Sequence, residues 1–233
     1  MRKKLLVLCL TSLSLTGFSQ IITKGSTFFG GSVGAGAFKA EDNRNVSPPF
    51  NQTDKNSGWN VQLQVGKAIR DNKILGVFIG YSRSKDEMIT QNSSGNRTVR
   101  MEYNGGIFYR SYYSLGKRFY LFGDGSLGLA LSKRETNNFT SNVSTIQGRQ
   151  RETSVGLRLT PGLSFAASKA LFLEASLNNL LAVFYTSGKS ESFDQQGSIF
   201  NTRTITSFGV SANSNGFSSL SIGLRWIIPR GKA

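Results

Sequence analysis

Between Trp59 and Tyr81 the side chains alternate with a period of two. Trp59, Val61, Leu63 and Val65 interleave with Asn60, Gln62, Gln64 and Gly66. After the polar break Arg70-Asp71-Asn72, Leu75, Val77, Ile79 and Tyr81 interleave with Gly76, Phe78, Gly80 and Ser82. Successive side chains of an extended chain point to opposite faces, so each arm reads as a strand with one apolar face. The short break between them makes a hairpin. Each arm has about the 9–11 residues that a tilted strand needs to cross a bilayer.

The same alternation recurs along the chain. Phe28 to Phe38 sets Phe29, Val33, Ala35 and Ala37 on one face. Val99 to Tyr113 sets Val99, Met101, Tyr103, Ile107 and Tyr109 against Arg100, Glu102, Asn104 and Arg110. Phe119 to Leu131 places Leu121, Leu127 and Leu129 opposite Asp124, Ser126 and Ala130. Val155, Leu157, Leu159, Leu163 and Phe165 alternate with Gly156, Arg158, Thr160 and Ser164. Leu171, Leu173, Ala175 and Leu177 face away from Phe172, Glu174, Ser176 and Asn178. The last strand sets Leu220, Ile222, Leu224, Trp226 and Ile228 opposite Ser221, Gly223 and Arg225.

Connections alternate in length. Lys39 to Gly58, Arg83 to Arg97, Lys133 to Arg151 and Thr186 to Arg203 read as long polar loops; Arg70 to Asn72, Ser114 to Lys117 and Ala167 to Lys169 read as short turns. Both chain ends then lie on the short-turn side. Long loops on one side, short turns on the other and alternating faces describe an outer-membrane barrel. A strand edge left open in lipid would strand backbone groups without partners, so the sheet must close. The expectation is an all-β fold: a closed, antiparallel, transmembrane up-and-down β-barrel of eight strands, with four long extracellular loops and short periplasmic turns. Ten strands stay open, because Thr204 to Ala212 is also strand-like. A soluble β-sandwich shows the same period, but would bury its apolar faces against each other. Aromatic residues near strand ends (Trp59, Tyr81, Tyr109, Tyr113, Phe119, Phe165, Tyr185, Trp226) suit two interfacial girdles.

Residues 1–19 read as a secretory signal peptide: Arg2-Lys3-Lys4, an apolar run from Leu5 to Leu15, and a small-x-small site at Gly17-Phe18-Ser19. Residues 20–233 form a single barrel domain. The one cysteine, Cys9, lies in the signal and histidine is absent, so the processed chain has no disulfide, thiolate or histidine ligand. Without Arg2, Lys3 and Lys4 it keeps 25 basic against 13 acidic residues, a net +12. These charges are scattered over loops and turns with no basic helix or nucleic-acid motif, so nucleic acid is not an expected partner.

The end of the chain, Ser221-Ile222-Gly223-Leu224-Arg225-Trp226-Ile227-Ile228, resembles the terminal signal read by the barrel-assembly machinery of Gram-negative outer membranes, with Ser221, Gly223, Trp226 and Ile228 at its positions. It departs from that signal by continuing through Pro229 to Ala233. With the signal peptide and the strand pattern, the chain resembles the small OmpA-like and OmpX-like outer-membrane barrels. The resemblance implies location in a Gram-negative outer membrane and a structural, adhesin-like or small porin-like role. It implies a monomer whose partners are outer-membrane lipid and lipopolysaccharide, the assembly machinery, and peptidoglycan or a host surface ligand.

Enzymatic outer-membrane barrels resemble one another in using a histidine base, so none of their mechanisms carries over and no enzyme is expected. Gly123-Asp124-Gly125-Ser126-Leu127-Gly128 spells the dinucleotide fingerprint, which works only where a strand gives way to a helix. Here the leucine alternation runs straight through it, so no cofactor is expected. More informative is the polar set of Arg100, Glu102, Arg110, Asp124, Arg158, Glu174 and Arg225, all on the inward register. The interior of an eight-stranded barrel is filled by side chains, and unpaired buried charges are costly. The expected salt bridges are Asp124–Arg158 and Glu174–Arg225, forming a plug; a proton or ion path is the alternative. Lys24, Lys67, Arg70, Lys73, Lys117, Arg118, Lys169, Arg230 and Lys232 gather at the short-turn rim opposed only by Asp71. Such a rim suits snorkelling to anionic headgroups, or docking to peptidoglycan.

Overall fold

A computed structural model describes residues 22–44, 50–90, 95–140, 143–178, 180–194, 196–212 and 220–229. They form ten strand segments: β1 (Thr27–Arg44), β2 (Phe50–Arg70), β3 (Lys73–Thr90), β4 (Gly95–Ser114), β5 (Phe119–Thr140), β6 (Val143–Ala166), β7 (Leu171–Leu177), β8 (Leu181–Phe193), β9 (Ile199–Ala212) and β10 (Leu220–Ile228). Ten segments make eight staves. β6 pairs along one edge with β7 below and β8 above, so β7 and β8 are one interrupted stave. β9 pairs with β8 and β10 with β7, so these two form the last stave. β1 pairs with both β2 and β10, which closes an antiparallel ring. The strand-like stretch that left the number open is thus the upper half of the eighth stave.

Hydrogen-bonded neighbours climb around this ring. From Ala166 the partners run through Phe172, Arg225, Gly30, Gln64, Phe78, Gly106 and Gly128, and return to β6 at Gly156, ten residues from the start. That stagger fixes the tilt of the strands and the width of the barrel. Closure between β1 and β10 spans Thr27 to Gly34; above it, among the described residues, β1 continues on β2 and β9 on β8.

The expected long loops are themselves sheet. β1 pairs with β2 out to Arg44 and Phe50, β3 with β4 out to Ile89 and Gly95, and β5 with β6 out to Thr140 and Val143. Polar residues occupy both faces there, so alternation disappears from the sequence while the backbone ladder continues. β5 has 22 residues and β6 has 24, or roughly 70–80 Å of chain at about 3.3 Å per residue. An apolar band is only about 25 Å tall, so these hairpins project well beyond it.

The face assignments follow the sequence period. Leu63, Val77, Ile107, Leu127, Leu157 and Leu224 all point outward and are exposed, a surface that water would not favour but hydrocarbon would. Trp59, Tyr81 and Tyr103 stack in a chain with ring centroids 5.2 and 4.9 Å apart near the upper end of the band. Phe119 packs on Phe165 at 5.1 Å near the short turns.

Inside, the lower barrel is filled by Phe28, Ile74, Phe108, Tyr112, Tyr120, Phe122, Phe172 and Ile227. The segment before β1 closes the bottom. Ile22 is buried and its backbone exchanges hydrogen bonds with Asn72, whose side-chain Oδ1 accepts from Ile22 N at 3.0 Å. Asn72 has φ 59°, a left-handed turn conformation that asparagine tolerates better than most residues.

Candidate functional site

Above the aromatic floor lies a buried charge cluster, brought together by four staves. Arg110 on β4 and Asp124 on β5 are register partners, with Arg110 Nη2 2.6 Å from Asp124 Oδ2. Arg110 Nη1 donates to Glu174 Oε2 on β7 at 2.9 Å. Arg225 on β10 brings its Nε 3.0 Å from the same Oε2, an ion pair whose N–H is not aligned for a hydrogen bond. Arg225 Nη1 donates instead to the Gly31 carbonyl at 2.5 Å. Tyr112 donates its hydroxyl proton to Glu174 Oε1 at 2.6 Å, and Gln64 Oε1 accepts from Arg110 at 3.1 Å. Two cations and two anions sum to zero.

Arg110 is only 2% exposed, and its guanidinium lies 4.6 Å from the Phe122 ring centroid and 5.3 Å from that of Phe28. Cation–π attraction of this kind strengthens where water is excluded. Small residues make the room. A Cβ at Gly30 would lie 2.7 Å from Arg225 Nε and closer still to its Cδ; one at Gly223 would lie 2.8 Å from Arg225 Nη1.

The seven charged positions therefore divide into two groups. Arg110, Asp124, Glu174 and Arg225 form the buried cluster, with the Glu174–Arg225 pair as expected from sequence. Arg100, Glu102 and Arg158 lie higher, lining a polar cavity of about 360 Å³ with Asn60, Gln62 and Asn104. The structure corrects the expected Asp124–Arg158 pair. Asp124 is taken by Arg110, whereas Arg158 approaches Glu102 at 3.7 Å and Arg100 holds that carboxylate at 3.0 Å. Arg158 is opposite Ser126, two residues from Asp124 along β5, so the pair sits on a diagonal that Arg110 outcompetes. Gln64 and Tyr112 belong to the network and were not among the sequence candidates, although both sit on the inward parity of their strands.

Other sequence features also find their places. Gly123 to Gly128 lies wholly inside β5, with Asp124 pointing inward and no helix following. Ser221 is buried, its hydroxyl 2.8 Å from that of Ser176, while Trp226 and Ile228 face outward on β10. Lys67 and Lys73 flank the β2–β3 turn, where Asp71 Oδ1 accepts from Lys24 N at 2.8 Å. Residues 1–19, Arg230 and Lys232 lie outside the described residues. In the projecting hairpins, Glu87 is held below the usual carboxylate range by a hydrogen bond from Lys85, and Glu135 by one from Lys133. Among the described residues no group of three or more Asp, Glu, His or Cys side chains gathers to hold a metal.

Solved structures similar to this chain are outer-membrane barrels. Neisserial surface protein A shares 16% identity over 87% of this chain and 99% of its own, with a TM-score of 0.35. Ail, the attachment invasion locus protein of Yersinia pestis, shares 12% over 88% of this chain and 100% of its own, at 0.36. The translocator domain of the autotransporter NalP from Neisseria meningitidis shares 13% over 97% and 94%, at 0.34. No curated protein matches the chain. The model of the outer membrane protein beta-barrel domain matches residues 5–218. That match covers most of the sequence, and the chain belongs to the outer membrane protein beta-barrel domain family.

Proposed function

We propose that residues 20–233, freed of an export signal at 1–19, form a non-enzymatic integral barrel serving envelope integrity or surface interaction, its projecting hairpins being the adhesin-like part. The observation that carries this reading is the filled cross-section. An aromatic floor, a neutral ion cluster and the Ile22 segment occupy the lumen of a narrow ring, as side chains do in eight-stranded barrels. Ser221, Gly223, Trp226 and Ile228 serve as the assembly signal, and the basic short-turn rim anchors the barrel at anionic headgroups.

A pore or transporter for ions or hydrophobic solutes is the competing reading, and the polar cavity above the cluster favours it in the upper half alone. Planar-bilayer recording separates the two. The expected result for the purified mature chain is no sustained current at any holding potential. Steady, ion-selective openings abolished by changing Arg110 or Glu174 would establish the pore instead.

A further inference from the structure

The polar cavity above the ion cluster has an ordered wall. Gln62 on β2, Gly80 on β3 and Asn104 on β4 are register partners, and one rung higher so are Asn60, Ser82 and Glu102. All six share the inward parity of the buried Gln64, Phe78 and Arg110. Glycines let two of the amides lie back against the wall: a Cβ at Gly80 would lie 2.5 Å from Asn104 Oδ1, and one at Gly34 2.7 Å from Asn60 Nδ2. The side-chain amides of Asn60, Gln62 and Asn104 border the cavity and have no hydrogen-bond partner among the described residues. Each therefore presents two N–H donors and a carbonyl acceptor to the lumen. Arg158 reaches in from β6, two strands from Glu102. It approaches Glu102 Oε1 at 3.7 Å, beyond hydrogen-bond range, and donates to no other group among the described residues. Arg100 holds the other oxygen of that carboxylate at 3.0 Å. Arg110, Asp124 and Arg225, which also border the cavity, belong to the neutral cluster beneath it. The walls are left with two guanidiniums against one carboxylate, an excess of one positive charge.

We propose that this cavity is a closed-ended binding site for a small sugar acid, a solute with one carboxylate and several hydroxyls. Its volume of about 360 Å³ falls within the roughly 300–1,000 Å³ of small-molecule sites. A guanidinium grips a planar carboxylate through two parallel N–H groups, and Arg158 has those groups unspent. One negative charge brings the walls to neutrality, whereas a doubly charged phosphate ester would leave a surplus anion beside Glu102. The amides of Asn60, Gln62 and Asn104 can each donate to one hydroxyl and accept from its neighbour. An apolar occupant would leave those amides without partners, which is costly. The aromatic floor and the ion cluster block the lower end, so the solute enters and leaves on the hairpin side. The closed end rests on the filled cross-section proposed above; the choice of ligand rests on the cavity wall alone.

Calorimetric titration of the mature chain in phosphatidylcholine nanodiscs with glucuronate, glucose and glucose 6-phosphate tests the assignment. Wild type is expected to bind glucuronate saturably at a single site. Glucose should bind roughly tenfold or more weakly, since a hydrogen bond to a charged group accounts for about a decade or more of affinity. Arg158→Gln removes the same contact and should weaken glucuronate by a similar factor while leaving glucose unchanged. Arg158→Lys, which keeps the charge without the paired N–H groups, should fall between. Asn60→Ala/Asn104→Ala should weaken both sugars, and Arg149→Gln, on the outward face of β6, neither. Heat-modifiable gel mobility checks that each variant is folded; the three ligands compared on wild type carry the test alone where one is not. Absence of glucuronate binding by wild type at millimolar concentration overturns the proposal, as does equal affinity for glucuronate and glucose, or wild-type affinity in folded Arg158→Gln. Tighter binding of glucose 6-phosphate than of glucuronate assigns the cavity to a phosphate ester and also overturns it. Entry of radiolabelled glucuronate into proteoliposomes contradicts the filled cross-section and the closed end with it, a different result from a barrel that neither binds nor passes the acid.

Discussion

Glu174→Ala should lower the stability of the folded barrel by about 3–5 kcal/mol, the cost of removing one partner from a buried ion cluster. Glu174 accepts from Tyr112, pairs with Arg110 and faces Arg225. Its loss leaves two buried guanidiniums and one carboxylate, Asp124, so the cluster acquires a net positive charge in a buried setting that solvates it poorly. Removing Arg225 at the same time restores neutrality around Arg110–Asp124. The double variant Glu174→Gln/Arg225→Met should therefore be more stable than the sum of its single changes, with a coupling in the 0.5–3 kcal/mol range of contacting residues. Glu102→Gln in the polar upper cavity should cost less than about 1 kcal/mol, because its partners Arg100 and Arg158 are partly exposed. Urea unfolding in lipid vesicles, followed by heat-modifiable gel mobility, measures all of these. A cost below 1 kcal/mol for Glu174→Ala would mean that the cluster does not hold the interior together.

Leu127→Arg should destabilise the inserted barrel by about 2–4 kcal/mol, the cost of an arginine facing lipid near the bilayer midplane. Leu127 sits between Ile107 and Leu157 on the outward face, about halfway along the apolar stretch of β5. Ser187→Arg, above the band on β8, should cost about 0–1 kcal/mol. The contrast between the two depths is diagnostic. In a water-soluble sheet Leu127 is an exposed position, and its change to arginine would fall within about 0.5 kcal/mol of neutral. Reversible folding into vesicles, titrated with urea, gives both values.

Strand faces were legible because lipid imposes one chemistry on outward positions within the apolar band, so each stave shows a period of two there, from Phe29 on β1 to Ile228 on β10. Loop form was not, because polar residues on both faces of the projecting hairpins erase that period while leaving backbone pairing intact. The charge cluster was half legible. The inward parity of Arg110, Asp124, Glu174 and Arg225 follows from alternation, and the Glu174–Arg225 pair from their neighbouring staves. Which cation meets Asp124 depends on register. The short turn after β4 reflects Arg110 onto Asp124, whereas the β5–β6 register is set by a hairpin containing a bulge at Thr136 and Asn137, and depth counted from the short turns misses it. The aromatic floor was also hidden, since Phe28, Phe108 and Phe122 sit on the face read as polar or glycine, beside glycines such as Gly76 and Gly162 whose Cβ would strike those rings.

Hydrocarbon, and not a second protein layer, meets the outward leucines of this barrel. Trp59 and Trp226 are both outward-facing, near opposite ends of the band, and they are the only tryptophans in the chain. Fluorescence of the single-tryptophan variants Trp59→Phe and Trp226→Phe, in vesicles of lipids brominated at successive acyl positions, reads this contact directly. Strong quenching of each remaining tryptophan, greatest for bromines near the headgroups and weaker toward the chain ends, is the predicted result. Emission unaffected by brominated lipid, from a chain that stays folded and monodisperse in plain buffer, would contradict it.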